Sequence, residues 1–293
     1  MIKIIFIAGD GRSGSTLLES ILSNGNNCIS VGECHRFWKR FVENSSQCGC
    51  GMPIHDCELW GAVHQKLIDE FPDYDPFTFQ KEVQDFQRYK NFKQLPGLLD
   101  SESWTRFSKI VSAFYRAIAH FSEKNIIIDS SKSISWARLL QLSNQFDVRV
   151  IHLERQLSQV ANSWKKRMLL PEYSNSDVYM PIKSNALILK NWLKIKLMAR
   201  SLPKAGPYLF LRYEKLLKHP EQSFERIVTF TEIELDSNHL TYQLNHAIGG
   251  NPMRHGAQGT IDFTTGSEVN PNLSYLERFG FSMVDKLASF VMP

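Results

Sequence analysis

One octet limits the folds open to this chain: Gly9-Asp10-Gly11-Arg12-Ser13-Gly14-Ser15-Thr16. Gly9 and Gly14, with four residues between them, and the closing Thr16 trace the outline of a P-loop, in which backbone N–H groups wrap around phosphate oxygens. The preceding run, Ile4-Ile5-Phe6-Ile7-Ala8, is continuously apolar, as in a parallel strand buried on both faces. After the octet, Thr16, Leu17, Leu18, Ile21 and Leu22 recur at helical spacing. Strand, glycine turn and helix N-terminus together make an anion site built from backbone donors and a helix dipole. Ser15 stands where a nucleoside-triphosphate loop carries its lysine, the side chain that serves the β- and γ-phosphates. A cradle without that lysine points to an anionic nucleotide lacking a transferable γ-phosphate, with Arg12 as the loop's cation.

At 293 residues the chain has room for one large domain, and no linker, repeat or low-complexity tract divides it. It reads as a single domain over 1–293. A hydrophobic fraction of 43% with 22% charged residues is ordinary for a globular protein. The net charge of +4, with no long Lys/Arg block, fits a local anion pocket better than a nucleic-acid surface. No apolar run approaches a membrane span, and Gly9–Arg12 interrupt the N-terminal apolar stretch too early for a signal peptide. The expectation is a cytoplasmic protein without membrane insertion.

The five cysteines, Cys28, Cys34, Cys48, Cys50 and Cys57, are odd in number and confined to the first fifth of the chain, which argues against a disulfide framework. Cys48, Cys50, His55 and Cys57 could supply three thiolates and an imidazole to zinc, but the spacing lacks the usual Cys-x2-Cys knuckle. Reduced thiols packing a glycine-rich loop is the simpler reading, and no metal is expected.

Beyond the first helix, apolar strand candidates alternate with helical patterns. Strands are expected at Cys28–Val31, Ile126–Ile128, Val148–Leu153 and Tyr208–Arg212. Helices are expected at about 107–121, 134–142, 157–169, 186–200 and 220–230. Such alternation predicts an α/β fold with a P-loop-type parallel sheet flanked by helices. The irregular stretch over about 34–106 is broken by Pro53, Pro72, Pro76 and Pro96 and holds Phe37, Trp38, Phe41, Trp60 and Phe79. It reads as a mostly helical, aromatic-rich insertion or cap, and its aromatics as the lining of a compact substrate pocket. In parallel sheets ligands gather at the carboxyl ends of the strands. The exits here are Gly9–Thr16, Gly32-Glu33, Asp129–Lys132, Glu154-Arg155 and Arg212–Glu214, all polar or charged.

These residues resemble the sulfotransferase family, whose members use 3′-phosphoadenosine 5′-phosphosulfate (PAPS) and release the bisphosphate PAP. The family's 5′-phosphosulfate loop is matched by Arg12-Ser13-Gly14-Ser15-Thr16, with Gly11 before it. Its 3′-phosphate motif, an arginine followed by a serine eight residues on, is matched by Arg155 and Ser163. The spacing is similar to the tyrosylprotein and carbohydrate branch, in which a Gly-Glu pair follows the loop, as Gly32-Glu33 does here. That branch also has a lysine before the 3′-phosphate strand, for which Lys132 is the candidate. Arg212-Tyr213-Glu214 resembles a segment whose tyrosine lies near the nucleotide, and Asn251-Pro252-Met253-Arg254 a late loop whose arginine closes over the 3′-phosphate in bacterial members. Asp10, acidic and beside an anion site, departs from the pattern.

The residue types suit sulfuryl transfer. Negative charge grows on the oxygen leaving with the nucleotide, and oriented N–H groups, Arg12 and Lys132 can stabilise it without a metal. Arg155 and Ser163, with Arg167 four residues on along the expected helix, would hold a phosphomonoester. The acceptor, a hydroxyl or amine of a small molecule or carbohydrate, needs a base. Glu33 is favoured for it, with His35 as the competitor. Two other functions fit a P-loop outline: a small-metabolite kinase, which would need a lysine at Ser15, and a non-catalytic nucleotide-binding module.

Overall fold

The computed structural model describes residues 1–43, 47–169, 179–236, 240–242, 246–249, 260–261 and 272–291. Its centre is an all-parallel sheet of β1 (Lys3–Gly9), β2 (Cys28–Gly32), β3 (Ile126–Lys132), β4 (Asp147–Glu154) and β5 (Tyr208–Arg212), in the order β2-β3-β1-β4-β5. The apolar run that opens the chain explains the central place of β1. Ile4, Phe6 and Ala8 enter the core on one face and Ile5 and Ile7 the core on the other, so only a strand covered on both sides can bury them.

The helices are α1 (Ser15–Leu22), α2 (Phe37–Glu43), α3 (Glu58–Glu70), α4 (Pro76–Gln87), α5 (Tyr89–Leu98), α6 (Glu102–Ser122), α7 (Ile134–Ser143), α8 (Leu157–Lys165), α9 (Asn185–Ala199), α10 (Tyr213–Lys218), α11 (Pro220–Thr231) and α12 (Tyr275–Val291). Several start on side-chain caps legible in the sequence: Asp75 accepts from Thr78 N at 2.8 Å ahead of Pro76, Ser101 from Trp104 N at 3.2 Å, and Ser133 from Trp136 N at 3.3 Å. None of these helices is long and apolar enough to cross a membrane.

Two expectations need correction. The helix over 157–169 ends at Lys165, because Lys166 turns extended (ψ 129°) and Leu169 pairs with Tyr179 in an antiparallel bridge. The aromatics of 37–79 do not line a pocket. Phe37, Trp38, Trp60 and Phe79 are fully buried and pack against one another and Phe114, on the same sheet face as Ile4 and Phe6. Large rings contribute most where all their area is removed from water, and here they hold the helices of 37–98 onto α6 and the sheet. The C-terminal α12, which packs on α8, carried no signal read from the sequence.

A buried carboxylate ties the first helix to the strand ends. Glu19, on α1, accepts from Ser30 Oγ on β2, from the Gly32 amide at 2.9 Å and from Ser130 Oγ on β3 at 2.7 Å. Removing it takes a charged acceptor from three buried donors, so Glu19→Ala should lower stability by about 3 kcal/mol or more. Glu19→Gln, which keeps one acceptor oxygen, should cost clearly less. Urea unfolding with an unchanged slope measures both; equal, small losses would show that the carboxylate is not a tie.

Candidate active site

The five polar exits meet along one edge of the sheet, as the topology requires. They open into a cleft of about 840 Å³ whose lining includes the P-loop, Glu33, His35, Lys132, Arg155, Ser163 and Tyr213. The P-loop passes from β1 to α1 through Gly14, which takes a left-handed conformation (φ 91°) at the helix N-cap. A Cβ at Gly14 would lie 2.2 Å from Tyr213 Cε2, and one at Gly11 2.8 Å from the Trp164 ring. The loop therefore needs glycine at Gly14 for its backbone and at both positions for space.

The two cations expected to act on the transferred group sit in unusual backbone conformations: Arg12 at φ 73° and Lys132 at φ 65°. Such strain persists where surrounding structure over-determines it, and it concentrates at functional sites. Lys132 is the last residue of β3, and its Nζ donates to Glu33 Oε1 and, at 3.4 Å, to the Ser130 carbonyl. Arg36, in the short 3₁₀ turn Cys34–Arg36, donates through Nε to the other Glu33 oxygen at 2.9 Å. Burial alone would raise the Glu33 carboxyl, but Lys132, then Arg36 and His35, hold it well below the usual carboxylate range. Glu33 is therefore ionised at neutral pH. For His35, burial and then Arg36 push the imidazole down to about 3, so at neutral pH it carries no charge; its Nδ1 has no hydrogen-bond partner.

Across the cleft, Arg155 Nη1 donates to the Arg12 carbonyl at 3.2 Å and its guanidinium lies over the Tyr213 ring at 4.7 Å. Ser163 lines the cleft from α8. Arg167, expected on the same helix face as Ser163, lies beyond the helix end, exposed, with its guanidinium 3.9 Å above the Tyr179 ring, and it does not line the cleft. Lys166 takes the cleft wall there instead. Arg254 lies outside the described residues. Asp10 faces the same space; burial lifts its carboxyl to about 6 against the pull of Lys183.

The sequence reading missed four contributors. Trp164 stacks under Arg12 (5.3 Å) and Lys183 (3.3 Å), forming the aromatic floor of the loop side. Arg36 and Arg40 line the wall next to Glu33, and the His35-Arg36 pairing beside Glu33 was a usable local signal. Lys183 gave none, because only the tertiary fold brings it to the loop. Behind β3, Asp129 accepts from Tyr115 at 2.6 Å and from Cys34 at 3.2 Å, and Tyr115 in turn accepts from Trp136 Nε1 at 2.9 Å. Asp129 is fully buried and does not line the cleft, and burial raises its carboxyl to about 6.

The arrangement suits a dianionic ligand. Ser13 Oγ, Arg12 Nε and Arg155 Nε are buried donors without partners, gathered around the glycine cradle and the α1 N-terminus. Comparison with known proteins agrees with that chemistry: the model of the sulfotransferase family matches residues 5–237. Solved structures similar to the chain include the sulfotransferase domain from the Synechococcus PCC 7002 olefin synthase, 19% identical with TM-score 0.49, covering 96% of this chain and 94% of that one. The sulfotransferase domain from the curacin biosynthetic pathway is 16% identical with TM-score 0.49, covering 99% and 98%. A sulfotransferase from Mycobacterium avium is 12% identical with TM-score 0.47, covering 99% and 77%. No curated protein matches the chain.

The Gly14 geometry separates steric from backbone strain. Gly14→Ala should destabilise the protein by about 2–3 kcal/mol, from ring overlap plus a left-handed alanine. Adding Tyr213→Ala should remove the overlap part and leave about 1 kcal/mol of backbone strain. Urea denaturation of the single and double variants checks this; a strictly additive double variant would show that the ring and the loop do not meet.

Proposed function

The chain belongs to the sulfotransferase family, and we propose that it transfers the sulfuryl group of PAPS to a hydroxyl or amine of a small-molecule or carbohydrate acceptor. The observation that carries this reading is the Glu33–Lys132 pair facing a P-loop whose lysine position is Ser15. PAPS, when bound, supplies a sulfuryl group on an anhydride whose departing oxygen gathers negative charge. The P-loop amides, Ser13, Ser15 and Thr16 would hold the 5′-phosphosulfate end, and Arg155 with Ser163 the 3′-phosphate. Tyr213, under Arg155, and Trp164 give that side its aromatic surfaces.

Lys132 and Glu33 would work as a switched pair. With no donor bound, the ammonium is spent on the Glu33 carboxylate, which it keeps a weak base. An anion in the cradle competes for Lys132, and the carboxylate regains proton affinity as the cation leaves it. Proton affinity in the unliganded state does not choose between Glu33 and His35, because both are depressed. The causes do choose. The depression at Glu33 comes from charges that can re-pair, whereas at His35 burial is the largest cause and stays in place. Glu33 is therefore the base that takes the acceptor proton.

The cleft wall away from the loop is not aromatic. With Phe37, Trp38, Trp60 and Phe79 in the core, it mixes Arg36, Arg40, Gln87, Ser133 and Ser135 with Ile134, Ile195 and Met198. This supports an acceptor with both polar and apolar surface over one held by ring stacking.

Arg155→Ala should weaken PAP by about 1.5–3 kcal/mol, the worth of a charge-assisted contact, while Lys132→Ala should mainly slow turnover, because the charge it meets develops in the transition state. Calorimetry with PAP and with Mg-ATP tests the donor site; tight Mg-ATP binding and indifferent PAP would return the kinase reading.

Glu33→Gln should leave PAP affinity in place and lower kcat roughly 10²–10⁴-fold. For the native enzyme, kcat/KM reports the free state, where Glu33 is depressed, so its acid limb should lie below pH 4.5, the ordinary carboxylate value. The acid limb of kcat, reporting the donor complex, should lie at higher pH and vanish in Glu33→Gln. Near-normal turnover in Glu33→Gln with a large loss in His35→Gln would move the base to the histidine.

A further inference from the structure

After α2 the chain makes a tight loop, with Cys48 N donating to the Met52 carbonyl at 2.8 Å and Gly51 N to the Cys48 carbonyl at 2.9 Å. Three sulfurs converge on its inner side. Cys57 Sγ is 3.5 Å from Cys48 Sγ and 3.8 Å from Cys50 Sγ. The imidazole that sequence proximity offers, His55, is engaged elsewhere: its Nε2 lies 2.6 Å from the Phe41 carbonyl and its ring packs on Phe41 at 3.8 Å. The imidazole that does arrive is His246, from the far end of the chain. Its Nδ1 is 3.2 Å from Cys57 Sγ and 3.8 Å from Cys48 Sγ. All four ligand atoms lie within 4.8 Å of one another.

Of those four separations, 3.5, 3.8 and 3.8 Å match a tetrahedral metal site, and the fourth, 3.2 Å, is slightly shorter. A tetrahedral zinc ion with Zn–S of about 2.3 Å and Zn–N of about 2.0–2.1 Å sets its ligand atoms about 3.5–3.8 Å apart. A disulfide would bring two sulfurs to about 2.05 Å, and all of these cysteines are free thiols. Thiols are weak hydrogen-bond partners, so mutual pairing gives three of them little reason to meet around one imidazole. We propose that Cys48, Cys50, Cys57 and His246 bind a structural zinc ion. Binding converts three thiols to thiolates and releases their protons to solvent, and four protein ligands close the coordination sphere, so the ion takes no substrate. This replaces the reading of the loop as simply packed thiols, and it is independent of which group the enzyme transfers.

The site has a mechanical consequence. His246 begins the short segment 246–249, which Trp60 Nε1 holds through the His246 carbonyl at 2.8 Å and Gly49 N through the Ala247 carbonyl at 3.0 Å. The same segment pairs with the end of β2: Ile248 N donates to the Val31 carbonyl at 3.0 Å, and Glu33 N to the Ile248 carbonyl at 2.7 Å. The metal would thus fasten a strap whose other side carries the Glu33 backbone.

The test uses the full chain purified without chelators. Elemental analysis should find about one zinc per chain, and cobalt exchanged into the site should show thiolate-to-metal charge transfer with tetrahedral d–d bands. Cys57→Ser and His246→Gln should lose the metal, while His55→Gln should keep it. Should the cysteine variants fail to fold, the native protein still decides the matter. Withdrawing its metal with a strong chelator should expose three further reactive thiols and lower the melting temperature by several degrees, and added zinc alone should reverse both. A protein that carries no zinc and yields no cobalt–thiolate bands overturns the proposal. So does a Cys48–Cys57 disulfide in non-reducing mass analysis, or metal lost in His55→Gln but kept in His246→Gln.

Discussion

The buried Glu19 carboxylate is the constraint from which the site's geometry follows. It sits on the helix that carries the phosphate-binding turn, and it accepts from β2 at Ser30 and Gly32 and from β3 at Ser130. Glu33 is the next residue after Gly32, and Lys132 is two residues beyond Ser130. One side chain therefore fixes the loop, the base and the cation relative to one another. The ladder gives way in the same place: register shifts fall between Ser30 and Gly32 in the β2–β3 pairing and between Phe6 and Ala8 in the β1–β3 pairing. Irregular strand ends re-aim side chains, and the positive φ of Lys132 belongs to that pattern. A buried charge is costly unless it is hydrogen-bonded, and the two Glu19 oxygens accept from three donors at the strand ends beside the site.

The cleft's charges explain why the two groups proposed for catalysis, Glu33 and Lys132, are found bonded to each other. Arg12, Lys132, Arg155 and Lys183 line one cavity, and Arg12 feels the strain. Burial lowers its pKa, Glu33 pulls it back up, and Arg155 lowers it again. The carboxylates of Glu33 and Asp10 hold this cluster together until an anion takes over the cations. Asp10, which looked out of place beside an anion site, has a use in this light. At about 6 its carboxyl is still mostly ionised at neutral pH, it faces Lys183, and it accepts a hydrogen bond from the Gly11 backbone N–H of the loop. In the proposed mechanism the same exchange that binds the anion releases the base. Affinity for the donor and activation of the acceptor would then draw on one set of ion pairs, and a variant that strengthens the Glu33–Lys132 pair would weaken both.

The strand, glycine turn and helix that carry the proposed donor site were legible because they are short, contiguous segments. A strand run, a glycine turn and a helix start are each local, and the rule that parallel strands release ligands at their carboxyl ends assembled the five exits correctly. What depended on distant packing was not legible. The aromatics of 37–79 look alike in a pocket wall and in a core, and only the neighbours Phe114 and Trp136 decide for the core. Arg167 followed from a helix drawn four residues too long: periodicity carries through Lys166, but the backbone there is committed to the bridge at Leu169. Glu19 reads as an ordinary helix-face acid, since its three partners come from other strands. His246 could not be joined to the cysteines at all, because ligand spacing is informative only when the ligands share one loop.

The two halves of the cleft differ in how they are built. The donor side is made of the loop, β4 and α8, elements joined by close sequence and by the central ladder. The acceptor side is assembled at β2, an edge strand of the sheet, from pieces that arrive separately: the 3₁₀ turn after it, the helices of 37–98, and the strap at 246–249. An open edge is a liability, and here the Gly32–Ile248 bridge begins to close it beside the base. β2 itself holds that strap, through the backbone bonds of Ile248 to Val31 and Glu33, while Trp60 and Gly49 hold it from the insertion's side. On the proposed reading, the wall beside Glu33 can change its lining without disturbing the phosphate cradle only while both sets of bonds stay in place.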